Sequence, residues 1–265
     1  MRHALFLAPF TELSDPATLV AVAKAADTAG WDGLYLWDHV LRDPAETTHL
    51  ADAWIMLAAV AMTTQRLRIG TMVTPVSRRR IATLVRQTVT LDHLSEGRLT
   101  VGLGLGVDTA GELRRFGEIT DARTRGTILD EGADLLARAW TGERVDHRGE
   151  HLTVDGVAFL PRPVQRPRIP LWFAARGSAR KPVRRAARYD GIFGIEVDAD
   201  GLADMLAVVS AERGGLDGFD VAVRASPIED PALLEVPGVT WAMHAFAPDV
   251  AAAEVLAVAE AGPPN

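Results

Sequence analysis

Asp38 and His39 stand side by side at the end of a short apolar run, and they are the residues of this chain best suited to moving a proton. Histidine titrates near neutral pH and can give or take a proton within one cycle, and a carboxylate beside it can steady the charge. A lone histidine more often fills a structural role, so its neighbours decide the matter. Gly102-Leu103-Gly104-Leu105-Gly106 invites a dinucleotide reading, but that fingerprint requires a third glycine where Val107 or Thr109 stands. Alternating glycines instead let a flat group come close to the backbone. Gly102 serves that purpose or tight packing equally well, while Gly104, Leu105 and Gly106 fall nearer a strand end and are read as pocket. Arg176-Gly177-Ser178 opens a basic helical stretch, where free backbone N–H groups and arginines suit a phosphate. Arg184, Arg185 and Arg188 are read as its solvated face, and Arg78-Arg79-Arg80 as a solvated turn or a subunit contact. His147 and His151 are separated by Arg-Gly-Glu, which is not helical, so no metal pair is expected and the metal assignment is none.

The elements that must position these groups alternate along the chain. Apolar runs at 4–8, 33–37, 67–73 and 99–105 read as strands, followed by 169–174, 191–195, 220–225 and 239–243. Between them lie helical patterns: Asp15-Pro16 is an N-cap with proline in the first turn, Leu19, Val22, Ala23 and Ala26 stripe one face, and Gly30 ends it. Others fall at 50–63, 179–189, 201–213 and 248–260, with stripes at Ile81, Leu84, Val85 and Thr88 and at Leu129, Ala133, Leu136 and Trp140. The seventh, at 231–236, is short. Such βα alternation calls for a parallel sheet, either closed as an eight-stranded barrel or open and doubly wound. The segment 141–170 breaks the rhythm with Gly142, Gly149, Gly156, Pro161, Pro163, Pro167 and Pro170, and reads as an inserted hairpin followed by extended chain. In a parallel barrel the chemistry gathers at the strand ends, among them Trp37, Glu196 and His244, and these with Trp241 are the substrate-pocket candidates.

Composition sets the outer bounds. The 265 residues match the roughly 250 of a single barrel, so one domain over 1–265 is expected. A net charge of −7 opposes nucleic-acid or anionic-membrane partners. Cysteine is absent, which removes disulfides, thiol nucleophiles and iron–sulfur ligation and is compatible with a cytoplasmic protein. No apolar run reaches the ~18 residues of a membrane span.

Taken in order, several stretches resemble the bacterial luciferase-like family of flavin- or deazaflavin-dependent oxidoreductases. They are Gly30-Trp31-Asp32-Gly33-Leu34-Tyr35-Leu36-Trp37-Asp38-His39, Arg66-Leu67-Arg68-Ile69-Gly70-Thr71-Met72-Val73-Thr74-Pro75 and Thr90-Leu91-Asp92-His93-Leu94-Ser95-Glu96-Gly97-Arg98-Leu99. Gly102 to Gly106, Leu129-Asp130-Glu131-Gly132, Phe159-Leu160-Pro161-Arg162-Pro163-Val164-Gln165 and Gly238-Val239-Thr240-Trp241 complete the set. The resemblance implies a (β/α)₈ TIM barrel with FMN or coenzyme F420 at its mouth. Asp38 and His39 would then be catalytic, beside the ring. Met72, Val73, Thr74, Gly104, Leu105 and Gly106 would line the ring, with a non-proline cis peptide at Met72–Val73. Arg176, Gly177 and Ser178 would hold the phosphate end. It also implies a small organic substrate, a homodimer and, for an FMN monooxygenase, a separate flavin reductase. Sugar-phosphate dehydrogenases of the family carry a glutamate where this chain has Val107, which speaks against a sugar phosphate. Oxygenation with FMN and hydride transfer with F420 both stay open, as does a non-catalytic flavin-binding relative. A metal-dependent hydrolase would need more His and carboxylate ligands at strand ends than this chain offers.

Overall fold

Aspartate caps and terminal glycines set most of the helix boundaries. In the computed structural model, which describes all residues except Asp43, Pro44, Glu46, Thr47, Ser178, Pro227, Ile228, Glu229 and Asn265, Asp15 accepts the Thr18 N–H at 2.8 Å and Pro16 opens α1 (Pro16–Ala29). Gly30, at φ 96°, closes that helix in the left-handed conformation that glycine adopts without steric cost. Asp52, Asp121 and Asp198 cap α2 (Ala53–Thr63), α4 (Ala122–Ala139) and α6 (Ala199–Arg213) in the same way. The remaining helices are α3 (Ile81–Leu94), α5 (Arg180–Ala186) and α7 (Ala252–Ala261). At 231–236 the expected short helix is a 3₁₀ turn, Pro231–Glu235.

Eight parallel strands close into a barrel: β1 (Arg2–Leu7), β2 (Gly33–Leu36), β3 (Arg68–Pro75), β4 (Leu99–Gly104), β7 (Leu171–Arg176), β8 (Gly191–Ile195), β9 (Asp220–Ala225) and β10 (Trp241–Ala245). β1 pairs with β10 as well as with β2, which settles closed barrel against open sheet. The segment 141–170 holds the expected hairpin, β5 (Arg144–Arg148) against β6 (Thr153–Ala158), antiparallel. Asp92 ties the chain after it to α3 by accepting the Val164 and Gln165 N–H groups at 2.7 and 3.1 Å.

Side chains alternate across each strand, so one set fills the barrel and the other meets the helices. Phe6, Tyr35, Met72, Trp172, Phe193 and Trp241 fill the interior. Leu5, Leu7, Leu34 and Leu36 point outward and pack under the helix layer. Small residues govern the approach of β3 to β4. A Cβ on Gly102 would lie 2.3 Å from the Thr71 carbonyl oxygen, so this glycine serves packing. The β3–β4 register shifts between Thr71 and Thr74, where the Met72–Val73 peptide is cis.

Two pocket assignments are corrected, one by where the strand begins and one by this alternation. Trp241 begins β10, at the end of the barrel opposite the mouth, fully buried edge-on to Tyr35 with Arg2 over its ring at 4.4 Å. His244 belongs to the outward set. Its Nε2 lies 3.0 Å from His3 Nδ1, and its ring meets Trp31 edge-on at 5.0 Å. Burial, then the neighbouring His3, pushes the His244 pKa from 6.5 down to about 4. A lowered folded pKa means the unfolded chain takes the proton first. Stability from the neutral pair is therefore full above pH 6.5, falls as pH drops below it, and is exhausted near pH 4. Thermal melts of His244→Gln should lose less midpoint between those two pH values than the parent chain; equal losses would show that the pair does not titrate this way.

Candidate active site at the barrel mouth

A cavity of about 630 Å³ opens at the C-terminal ends of the strands. Trp37, Asp38 and His39 follow β2 into it, Met72 and Val73 come from β3, and Gly104, Leu105 and Gly106 from the end of β4. Phe6, Phe193 and Ile195 give it apolar walls, and Arg176, Arg185 and Arg224 stand among its charged lining with Glu196. Most residues expected at the mouth are thus brought together there.

The polar core of the site is a chain of alternating charges. Asp38, 4% exposed, accepts both contacts of Arg79 Nη2 at 2.7 Å, the Thr74 hydroxyl at 2.7 Å and Trp54 Nε1 at 3.1 Å. Arg78 donates to the Asp38 carbonyl at 2.5 Å and to Glu112 Oε2 at 3.1 Å. Both Glu112 oxygens lie 3.1 Å from His39 Nδ1, and Oε2 also accepts the Val40 N–H at 3.2 Å. Glu112 is 2% exposed, while the His39 side chain keeps 29%. A carboxylate offers only lone pairs, so Nδ1 is the donor in this contact and Nε2 is the ring nitrogen left for a ligand. This is the histidine-on-carboxylate arrangement that fixes a ring in one tautomer and one orientation.

Several expectations change accordingly. Asp38 is enclosed and engaged by donors from Arg79, Thr74 and Trp54, an arrangement that suits holding its neighbours more than acting as a free base. Thr74 is fully buried and reaches Asp38 instead of lining the cavity. Arg78 and Arg79 are no solvated turn: their side chains are 6% and 16% exposed and carry the network. Arg185 is no solvated face either. It is 4% exposed, lines the cavity and grips Asp130 at 2.6 Å, whereas Arg184 and Arg188 do lie outside. Burial pushes the Asp130 carboxyl up, but Arg185 and then Arg188 and Lys181 pull it further, to a net position below its ordinary value.

The phosphate-end assignment fares unevenly. Arg176 lines the cavity, half exposed, with Nε 3.3 Å from Glu196. Gly177 spends its N–H on the Ile195 carbonyl at 3.2 Å and is not part of the lining. Ser178 lies outside the described residues.

Glu112 escapes sequence reasoning, and the loop shows how it arrives. Asp108 Oδ1 accepts the Leu113 N–H at 2.7 Å, and Arg125 donates to the Leu105 and Gly106 carbonyls at 2.7 and 2.9 Å. Together they fold the stretch after β4 back over His39. The available signal is Asp108 three residues before Gly111, a turn-forming pair, which marks a compact loop without choosing among its acids.

Comparison with known proteins bears on the family and the fold. The model of the luciferase-like monooxygenase family matches residues 4–232. An uncharacterized protein of Mycobacterium tuberculosis is 32% identical over 90% of this chain and 91% of its own length. An F420-dependent glucose-6-phosphate dehydrogenase of Nakamurella multipartita is 30% identical over 62% of this chain and 48% of its own. Among solved structures, an F420-dependent secondary alcohol dehydrogenase superposes with a TM-score of 0.74 at 21% identity, covering 84% of this chain and 68% of its own. A monooxygenase of Streptomyces bottropensis gives 0.71 at 23% identity, covering 85% and 71%. At these identities the two structures speak for the fold.

Proposed function

Because the chain belongs to the luciferase-like monooxygenase family, we propose that it is an oxidoreductase using coenzyme F420 for hydride exchange with a small secondary alcohol or its ketone. The observation that carries this reading is the His39–Glu112 pair, a histidine oriented by a buried carboxylate at the mouth. Oxygenation with FMN asks the protein mainly for a dry pocket, whereas alcohol–ketone exchange needs a group that takes and returns one proton.

The cavity fits such a cofactor. Its volume lies within the range of small-molecule sites, roughly 300–1,000 Å³, and its walls are apolar. Glycine keeps the end of β4 low: a Cβ at Gly104 would come 2.5 Å from Val73 Cγ2. Trp37 Nε1 is a buried donor with no hydrogen-bond partner among the described residues. Met72, Val73, Gly104, Leu105 and Gly106 would bound the ring, and Arg176 would meet the anionic tail. When bound, the deazaflavin supplies two-electron hydride chemistry. His39 Nε2 takes the hydroxyl proton as the carbinol C–H bond gives up its electron pair and the C=O bond forms; in the reverse direction it returns that proton. Glu112 holds the ring and balances its charge while it is protonated. Asp38, Arg78 and Arg79 keep Glu112 in place.

The test is anaerobic mixing of the protein with F420 and a panel of secondary alcohols. One equivalent of ketone should form per F420 reduced, with no dependence on oxygen. Product formation that requires dioxygen and FMN would instead establish the monooxygenase reading, with its separate flavin reductase.

We also propose a homodimer. α2 is apolar all round, and Ile55 and Met62 on it are 69% and 64% exposed, a face that a second copy would cover. No helix among the described residues is long and apolar enough to cross a membrane.

A further inference from the structure

We propose that the substrate is an apolar alcohol or ketone bearing a carboxylate, which Arg42 binds; this rests on the hydride-exchange reading above. A side chamber of about 460 Å³ adjoins the main cavity and shares Trp37, His39, Val107 and Glu112 with it. A molecule lodged there meets His39 directly. The chamber is walled by Phe10, Leu41, Val107 and Ala110, with the Phe10 ring edge-on to both Trp37 and His39 at 6.2 Å. These walls favour an apolar body over the many hydroxyls of a sugar, and the polar side chains that share the lining, Thr109, Glu112, Arg42 and Arg114, are few.

Charge decides the rest. Glu112 is spent on His39, Val40 and Arg78. Arg114 is spent on Asp108, whose carboxylate and carbonyl both lie 2.9 Å from Nη1. Arg42 lies over the Phe10 ring at 5.8 Å and has no ion-pair partner among the described residues. The chamber therefore offers mostly apolar surface, the Thr109 side chain and one guanidinium that no described carboxylate pairs. One carboxylate matches that fork in both charge and geometry, whereas a phosphate dianion would leave a charge unbalanced.

The test uses the full chain and three probes: 4-(1-hydroxyethyl)benzoate, neutral 1-phenylethanol and 4-(1-hydroxyethyl)phenyl phosphate. Affinities are measured by calorimetry with and without F420, and F420 affinity is measured separately. The carboxylate should bind about tenfold more tightly than the neutral alcohol, the scale of one charge-assisted hydrogen-bonded pair. Arg42→Gln should erase that preference while leaving 1-phenylethanol affinity unchanged, and Arg42→Lys should restore part of it. Equal binding of acid and alcohol by the parent chain, an unaltered preference in Arg42→Gln, or tighter binding of the phosphate would each overturn the proposal. Failure of F420 to bind would strike the hydride-exchange reading, while the cofactor-free affinities would still decide the role of Arg42.

Discussion

His39→Gln is expected to lower turnover by about 10²–10⁴-fold, the usual worth of a positioned general acid–base group, while cofactor affinity changes little. His39 is one residue in the lining of a large, mostly apolar cavity, so binding survives its loss. Proton transfer does not, because among the described residues no other carboxylate or imidazole combines exposure to the cavity with a buried orienting partner. Asp38 and Glu112 are enclosed and engaged, and Glu196 stands at the exposed rim beside Arg176. Glu112→Gln separates chemistry from packing: the amide can still accept from Arg78, yet it no longer offsets a protonated His39. Its loss should fall mainly on kcat and move the pH profile. Stopped-flow turnover against pH, with cofactor affinity measured alongside, checks both. An unchanged kcat in His39→Gln would remove this residue from the chemistry.

Asp38→Ala is expected to cost about 3–5 kcal/mol of stability, the range for removing one partner of a buried ion pair. The side chain it removes is 4% exposed and accepts from Arg79, Thr74 and Trp54. Arg79 would keep a buried charge with no carboxylate opposite it, and Arg78, which also contacts Asp38 Oδ1, would share the loss. Urea unfolding of the parent and variant measures the difference. A loss below about 1 kcal/mol, the ordinary scale of an exposed pair, would mean that the network is wet and weakly coupled. Because Arg78 connects Asp38 to Glu112, the same variant should also disturb the alignment of His39.

The barrel was legible because its strands and helices carry strong local periodicity. Asp15-Pro16 and Gly30 bracket the first helix as cap chemistry requires, and the strands at 191–195 and 220–225 have the limits read from the sequence. The hairpin inside 141–170 follows from glycines and prolines that forbid a long helix there. What stayed hidden depends on contacts between distant segments. Glu112 reaches His39 across 73 positions, and nothing in the spacing of either segment encodes that approach. Arg78, Arg79 and Arg185 read as solvated because arginine usually is; each is buried by a carboxylate from another element. Trp241 and His244 were misplaced for a simpler reason. Their strand starts two residues later than its pattern suggests, which puts the indole at the floor and extends the strand through His244, whose imidazole alternation then sends to the outside.

Familiar stretches such as Thr90 to Leu99 turn out to stabilise the fold. Asp92 accepts three hydrogen bonds from Val164 and Gln165, and Arg98 donates to the carbonyls of Ala61, Thr64, Ser95 and Leu67. These residues identify the barrel without touching its mouth. The mouth is built instead from strand ends and loops whose sequences are individually ordinary, and the proposed reaction and choice of cofactor rest on them.

Parallel titration of the cofactor-free protein with F420 and with FMN, followed by fluorescence quenching, addresses that choice most directly. Saturable F420 binding at concentrations where FMN does not compete is the predicted result, and it would place the His39–Glu112 pair beside a hydride carrier. Preferential FMN binding, with F420 failing to displace it, would contradict the hydride-exchange reading and return the protein to flavin-dependent oxygenation.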